Sequence, residues 1–410
     1  FIVHTWRTEG KGVSAMRICL LTTSFPQYKN DTQAPFIYEL CSTLSKRKIG
    51  IDVVCPADTN AQKEEIWGNI RIPRFQYMIP RRWQKLTAEG GIVTNLKSSW
   101  MAKLQWPIFS LAFLWRAFRY ARKADIIHCQ WSFSGVIGVI LKKLLGKKLI
   151  LTERGSSAHL ALKNKVMKAT LLYILKNCDM ITANNRHQIE QFHQLGIRKS
   201  MVTVPNGIDM KLFRVMDKKI CKKKVRFTEN EHALVYVGRL VEDKGLEELI
   251  QIMHGVKKRR KDVKCYLIGS GRLGARLKKE VKDLQLEDTI MFLGSIPQKE
   301  IPYYLNAADA LILPSLREGR PNSVAEALAC GTFVIASDIP GCRELLELLP
   351  YGKLLPPQDK EKWINAIAAL QTRKVDKEKY EAFRKELTWE KSAEKYEEIY
   401  KKVISGQEGY

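Results

Sequence analysis

Apolar residues along this chain follow two periods in turn. Short runs of aliphatic and β-branched residues at 17–21, 51–55, 126–129, 149–152, 180–183 and 201–204 read as buried strands. Helical patterns separate them; the first carries Phe36, Leu40 and Leu44 and ends on Lys46, Arg47 and Lys48. The turn Pro205-Asn206-Gly207-Ile208-Asp209 punctuates the middle, because Pro fixes the entry and Asn-Gly tolerates positive φ. The pattern then restarts, with strands predicted at 233–237, 263–268, 289–293, 310–313, 333–336 and 353–355. Leu246, Leu249, Ile250 and Met253 make one helical face, and a last helix over 389–403 aligns Ala393, Tyr396 and Tyr400. Strands alternating with helices predict an α/β fold of two doubly wound, Rossmann-like halves facing across a cleft. Ligands in such sheets bind at the carboxyl ends of the strands. Residues 1–15, ahead of Met16, are set aside as an extension. The first domain is expected over 16–205, the second over 206–387, and 388–410 as a helix returning towards the first domain.

One segment fits this scheme loosely. Residues 97–123 carry Trp100, Trp106, Phe109, Phe113, Trp115 and Phe118 among Lys97, Lys103, Arg116, Arg119, Arg122 and Lys123. Pro107 is placed to start a helix. Ile108, Leu111, Ala112 and Trp115 would then form the core stripe, leaving Phe109, Phe113 and Arg116 off it. The helix has more apolar surface than one core contact needs, so it is either wholly buried or a peripheral membrane surface. The strongly apolar runs 106–115 and 131–141 are too short to span a bilayer, which takes roughly 18 residues.

Charge sharpens that choice. The chain of 410 residues has 69 basic and 43 acidic side chains, a net +26. Nucleic acid, an anionic membrane or a phosphorylated substrate would each answer such a surplus. The basic knots at 116–123, 222–224 and 257–261 accompany no nucleic-acid-binding module. Nine scattered cysteines, without a Cys-x-x-Cys pair, read as a reduced intracellular protein. No basic start followed by an apolar core opens the chain, so no signal peptide is expected.

The densest chemistry lies in Arg317-Glu318-Gly319-Arg320-Pro321-Asn322-Ser323-Val324-Ala325-Glu326, after the strand at 310–313. Asn322 is the predicted N-cap, and Gly331 the glycine just past the helix end. Glu318 then lies on the loop leaving a strand, and Glu326 about one turn into the helix. A ligand there would meet N–H donors at its phosphates and carboxylates at its hydroxyls. Equally, the stretch could be a solvated turn with a Glu favouring the helix dipole. Gly238-Arg239 ends the first strand of the second half, and Lys244 follows on the same loop; the two cations suit a diphosphate or pair with Glu242 and Asp243. Gly269-Ser270-Gly271-Arg272-Leu273-Gly274 fits a dinucleotide fingerprint but follows the second strand of its domain, so a tight turn is the competing reading. His128 ends a strand facing the expected cleft, where a packed structural histidine is the alternative. No Asp-x-Asp sequence occurs.

Taken in order, Gly238-Arg239-Leu240 with Lys244-Gly245, the Gly-x-Gly turn at Gly269 and Gly271, the Val204–Asp209 junction, the strand ending in His128, and Glu318 with Glu326 eight residues on resemble glycosyltransferase family 4. The resemblance covers nearly the whole chain from Met16. It implies the GT-B fold and a retaining transfer from a nucleoside-diphosphate sugar to a hydroxyl acceptor by front-face attack. In that reading Glu326 grips the ribose and Glu318 the sugar hydroxyls. Arg239 and Lys244, with backbone N–H groups over Gly319, Pro321, Asn322 and Ser323, stabilise the leaving diphosphate, and His128 joins the catalytic set. Gly238, Gly269 and Gly271 line the donor turn, while Arg154 and Gly155 face the phosphates or the acceptor. Arg154 replaces a histidine common in relatives, and the loop Thr32-Gln33-Ala34-Pro35-Phe36 lacks their Gly-Gly. No metal and no cofactor are implied; the co-substrate would be a uridine diphosphate sugar, or a guanosine one as runner-up. A lipid-linked saccharide acceptor and a peripheral cytoplasmic location on the inner membrane face would follow. A sugar-nucleotide epimerase or phosphorylase of the same fold, a basic nucleic-acid-binding protein, and a dehydrogenase resting on the glycine motif are the rivals.

Overall fold

A computed structural model describes residues 16–407 apart from 29–30, 32–33, 59–60, 88–91, 93–94, 97–98, 156–160, 162–163 and 372–374. The extension over 1–15, together with Thr32, Gln33, Lys97 and Ser156, therefore lies outside the described residues.

The first unit begins β1 (Arg17–Leu21), α1 (Pro35–Lys46), β2 (Gly50–Pro56), β3 (Glu64–Trp67), β4 (Ile70–Phe75) and α2 (Trp100–Ala121). It continues β5 (Ile126–Gln130), α3 (Trp131–Leu145), β6 (Lys148–Glu153), α4 (Lys165–Asn177), β7 (Met180–Ala183), α5 (Arg186–Gln194) and β8 (Met201–Thr203). Its sheet runs β3-β4-β2-β1-β5-β6-β7-β8, parallel except for β3. Strands β1, β2, β5 and β6 in its centre are buried along almost their whole length, as parallel strands covered on both faces must be.

The second unit runs α6 (Lys218–Val225), β9 (His232–Val237), α7 (Leu246–Arg259), β10 (Val263–Ile268), α8 (Gly274–Asp283), β11 (Ile290–Gly294) and α9 (Ile301–Ala307). Then come β12 (Ala310–Leu313), α10 (Asn322–Ala329), β13 (Phe333–Ser337), α11 (Pro340–Leu348), β14 (Gly352–Leu355), α12 (Lys360–Ala368) and α13 (Lys377–Glu386). Its sheet is wholly parallel, in the order β11-β10-β9-β12-β13-β14. Strand order reverses between β9 and β12, so the loops leaving those strands part and open a crevice. In the first sheet the reversal falls between β1 and β5.

The chain crosses between units twice, side by side. The Ile208 N–H donates to the Leu387 carbonyl at 2.8 Å, and Ile208 bridges Thr388. The last helix, α14 (Trp389–Ser405), starts from a Thr388 cap and lies on α1. Its Ala393, Tyr396, Ile399 and Tyr400 share one buried cluster with Ile18, Leu20, Ile37 and Leu40 of the first unit.

Three sequence expectations change. The hairpin β3–β4 was not read from the pattern, because its strands are short and Pro73 interrupts the second. Helix α2 starts at Trp100, capped by Ser99, whose Oγ accepts from the Ala102 N–H, and Pro107 sits inside it. Its inner face is the opposite of the expected one: Phe109 and Phe113 are buried, while Ile108, Leu111 and Trp115 face outward. The hairpin explains the reversal. Phe75 of β4 stacks on Phe113 at 4.7 Å and meets Phe109 edge-on at 5.2 Å, giving those rings a seat the sequence pattern did not reveal.

Candidate active site

The loops that leave β9 and β12 at the reversal carry the carboxylates and cations singled out above. Glu318, on the loop after β12, accepts from Lys244 Nζ at 2.5 Å and from Ser315 Oγ at 2.8 Å. Both partners of this ion pair are mostly shielded from water. Pairing in a partly dry cleft fixes the carboxylate's position and makes each group dependent on the other. Arg239 is exposed on the neighbouring loop, and among the described residues its guanidinium has no ion-pair or hydrogen-bond partner. Glu242 and Asp243, the partners that could have engaged it and Lys244, pair instead with Arg272 and Arg317. Among the described residues, Lys244 is thus bound to a carboxylate and the Arg239 guanidinium is left unpaired.

Helix α10 begins beside them. Its N-cap is Pro321, with φ −72°, so Asn322 is the first helical residue and not the cap. The Asn322 side chain points away to the domain junction, where its Oδ1 accepts from Asn206 Nδ2 at 3.3 Å. The backbone N–H groups of Asn322 and Ser323 precede the first intrahelical bond and remain available to a ligand. Pro321 itself contributes no N–H, only its fixed φ. Glu326 lies one turn further in. It is half-buried, its carboxylate accepts no hydrogen bond among the described residues, and burial pushes its pKa up to about 8. A carboxyl desolvated without a partner favours its neutral form. Gly331, at φ +67°, closes the helix in the left-handed conformation that glycine supplies.

The glycine motif has a packing role. Gly269 adopts φ +138°, and a Cβ there would stand 1.9 Å from the Gly238 carbonyl oxygen; one on Gly271 would stand 2.3 Å from that of Leu240. The Leu240 N–H donates to the Ser270 carbonyl at 2.9 Å. Gly269 and Gly271 thus let the loop after β10 lie flush on the Gly238–Leu240 loop, which positions Arg239. A Cβ on Gly274 would find only a side-chain methyl at 3.7 Å. That leaves the third glycine of the fingerprint without the close contact its role requires.

Across the cleft, Gly155 faces Gly319 so closely that a Cβ on it would stand 3.0 Å from the Gly319 Cα. Asn185 Nδ2 donates to the Gly319 carbonyl at 2.6 Å, and the Arg186 N–H donates to Glu344 Oε1 at 2.5 Å. Arg154 is held over the Phe36 ring at 4.7 Å and donates to Gln130 and Asn206. Burial lowers its pKa, and as a guanidinium it stays charged. Through Asn206 it connects to Asn322 at the start of α10. Asn185 and Glu344 were not singled out in the sequence, and Asn206 was read only as part of a turn; isolated polar residues give no signal of a seam until the fold brings them together.

His128 is placed differently from the expectation. It is 0 % exposed, with Nδ1 2.8 Å from the Tyr400 hydroxyl and Nε2 2.7 Å from Thr152 Oγ1. Burial, and next the charge of Arg154, lowers its pKa to about 3. Helix α14 packs over it, and the ring is enclosed by Tyr396, Tyr400 and Thr152, the arrangement of a packed, hydrogen-bonded histidine. Among the described residues no group of three or more His, Cys, Asp or Glu could hold a metal ion. All nine cysteines are buried and free. No helix among the described residues is long and apolar enough to cross a membrane.

Comparison with known proteins agrees with this architecture. The model of Glycosyltransferase Family 4 matches residues 33–212, and that of Glycosyl transferases group 1 matches 217–387. N-acetyl-alpha-D-glucosaminyl L-malate synthase of Bacillus anthracis is 25% identical over 315 residues, 73% of this chain and 81% of its own. Alpha-monoglucosyldiacylglycerol synthase of Streptococcus pneumoniae is 24% identical over 354 residues, 83% of this chain and 75% of its own. Among solved structures, sucrose-phosphate synthase of Thermosynechococcus elongatus superposes with a TM-score of 0.78 at 22% identity, covering 96% of this chain and 100% of that one. Anabaena HepE in complex with UDP and glucose superposes at 0.72 and 18% identity, covering 94% and 99%. With the two family models filling the two units in turn, the chain belongs to the glycosyltransferases of the family 4 type, with the GT-B fold.

Proposed function

We infer that this transferase moves a sugar from a nucleoside diphosphate to a hydroxyl acceptor with retention of configuration and without a metal ion. The observation that carries the reading is the grouping of Glu318, Lys244, Arg239, Glu326 and the start of α10 around the reversal between β9 and β12. Glu326 accepts from the ribose hydroxyls, and Glu318 holds the donor sugar. Lys244 and Arg239, with the N–H groups opening α10, take up the charge that grows on the leaving diphosphate, an electrostatic arrangement set before the reaction begins. Among the described residues no group in the cleft stands out as a nucleophile for double displacement, which supports front-face attack, with a phosphate oxygen taking the acceptor proton. Uridine diphosphate sugars stand first among donors, since HepE was crystallised with UDP and glucose, and guanosine diphosphate sugars second. The glucosyldiacylglycerol synthase and a diphosphoundecaprenol-dependent galactosyltransferase among the relatives support a lipid-linked acceptor, and a place at the inner face of the cell membrane goes with that acceptor.

A thermal-shift screen against nucleotide sugars tests the reading, because a ligand that binds the folded state raises its melting temperature by mass action. A rise with one nucleoside diphosphate family is expected; no rise with any would refute it. Incubation with donor alone, followed by a search for epimerised sugar, separates the transferase from an epimerase.

A further inference from the structure

Helices α2, α3 and α4 lie side by side on one face of the first sheet, and their outward side is unusual in two ways. First, it is apolar. Leu104, Leu111 and Trp115 of α2 are 65%, 68% and 63% exposed, and Trp100, Ile108 and Phe118 continue the same ridge. More than half of the large exposed apolar side chains among the described residues belong to these three helices. Contiguous exposed apolar surface of this kind marks an interaction site. Second, the three helices carry eight Lys or Arg and not a single Asp or Glu. Two of the eight, Arg116 and Lys142, are engaged by Glu64 and Asp179; the exposed remainder faces outward. At the C-terminal end of α2, Arg119 lies over the Trp115 ring at 5.1 Å. There Arg17, Arg71, Arg119, Arg122 and Lys123 line a cleft of about 110 Å³ with Asp52, whose carboxylate pairs with Arg17 and Arg71.

We propose that this face is a membrane-docking surface, with the apolar ridge of α2 lying in the interfacial layer of a bilayer and the cations around Arg119 and Lys123 meeting anionic lipid headgroups. Apolar side chains flanked by cations, on a helix lying flat, are what an anionic bilayer surface accommodates. A second copy of the chain fits poorly: face-to-face pairing would set these cations against their own kind with no acid on the three helices to answer them. The docking stands independently of the transfer reaction, but its use, bringing a lipid-linked acceptor to the cleft, rests on the function proposed above. Connectivity supports that use. Helix α2 leaves the carboxyl-end side of the first sheet, so its Trp100 end lies towards the cleft mouth, where Gln105 Nε2 donates to the carbonyl of the exposed Trp83 at 2.6 Å.

The test is sedimentation of the full chain with phosphatidylcholine vesicles, with and without phosphatidylglycerol, at low and high salt. Binding to the anionic vesicles is expected, weakened by salt and scarce on neutral ones. Leu104→Glu/Leu111→Glu/Trp115→Glu should lower the partition coefficient by at least about tenfold, given the apolar burial removed. Arg119→Glu/Lys123→Glu should abolish the preference for phosphatidylglycerol, and Ile220→Glu, exposed on the other unit, should change nothing. Wild-type melting temperature in each variant shows that it is folded. Failure of the wild type to bind either vesicle overturns the proposal, as does undiminished binding by the triple variant. A wild-type dimer in analytical ultracentrifugation that the triple variant splits would assign the face to a second copy and overturn it too. Should no nucleotide raise the melting temperature while vesicle binding follows the expected pattern, the transfer reading falls and the docking surface stands.

Discussion

At the scale of single residues, the informative group is Glu326. Its pKa of about 8 in the free protein means that it holds a proton at neutral pH. Accepting from two ribose hydroxyls requires the carboxylate, so donor binding should release a proton. Calorimetry at pH 7 in buffers of different ionisation enthalpy measures this, and affinity for the nucleoside diphosphate should rise with pH and level off above about 8. Glu326→Gln should remove the proton release, and Glu326→Ala should weaken binding by roughly one to two orders of magnitude. The same group affects stability with the opposite sense. Its folded pKa lies above the unfolded one, so the stability it contributes is fully present below the unfolded value and is lost as pH rises through the folded value. Glu326→Gln should therefore melt higher than wild type at pH 8 and nearly alike at pH 5, a cost of the kind functional residues impose. Lys244 and Glu318 form a second pair of dependents. Lys244→Ala should lower kcat by about two orders of magnitude or more, the usual loss when one donor to a developing charge is removed, with a smaller effect on nucleotide affinity.

At the scale of elements, α14 has become part of the unit it returns to. Tyr400 and Tyr396 reach His128 and Thr152 through hydroxyl contacts of 2.8 and 3.0 Å. Tyr400→Phe should cost about 1 kcal/mol in chemical denaturation, the ordinary net value of one hydrogen bond. His128 titrates well below its unfolded value, so the stability it contributes is present above about pH 6.5 and is lost as pH falls. An NMR titration should show its ring neutral from pH 5 to 8, and the pH profile of kcat should carry no limb from it. Much of this level was legible in the sequence. The parallel strands announced themselves as unbroken apolar runs, and the stripe of Ala393, Tyr396 and Tyr400 was visible at helical spacing. Orientation was not. Helix α2 is apolar on both sides, so periodicity could not choose between Phe109 and Ile108 for the core; Phe75, in a strand the pattern did not reveal, made the choice. His128 illustrates the same limit. Its place at a strand's carboxyl end was readable, but the helix that covers it arrives from 272 residues further on.

At the scale of the whole molecule, the two units meet at Asn185–Gly319, Arg186–Glu344 and the chain from Arg154 through Asn206 to Asn322. These contacts hold the loop bearing Glu318 against the first unit. Glu344→Ala removes the acceptor for the Arg186 N–H and the counter-charge of the buried Arg320. Small-angle scattering should record a larger radius of gyration, and donor affinity should fall by up to about tenfold as the closed population shrinks. The paired crossings at 208 and 387–388 have a different consequence, one of timing. During synthesis the segment up to Val204, which holds every strand of the first sheet, leaves the ribosome early. Yet the seat shared by Ile18, Leu20, Ile37 and Leu40 stays open until Trp389 and the tyrosines after it emerge. The domain made first is thus the one finished last. A released chain truncated after Leu387 should remain protease-sensitive in the first unit while the second, complete by that residue, already resists.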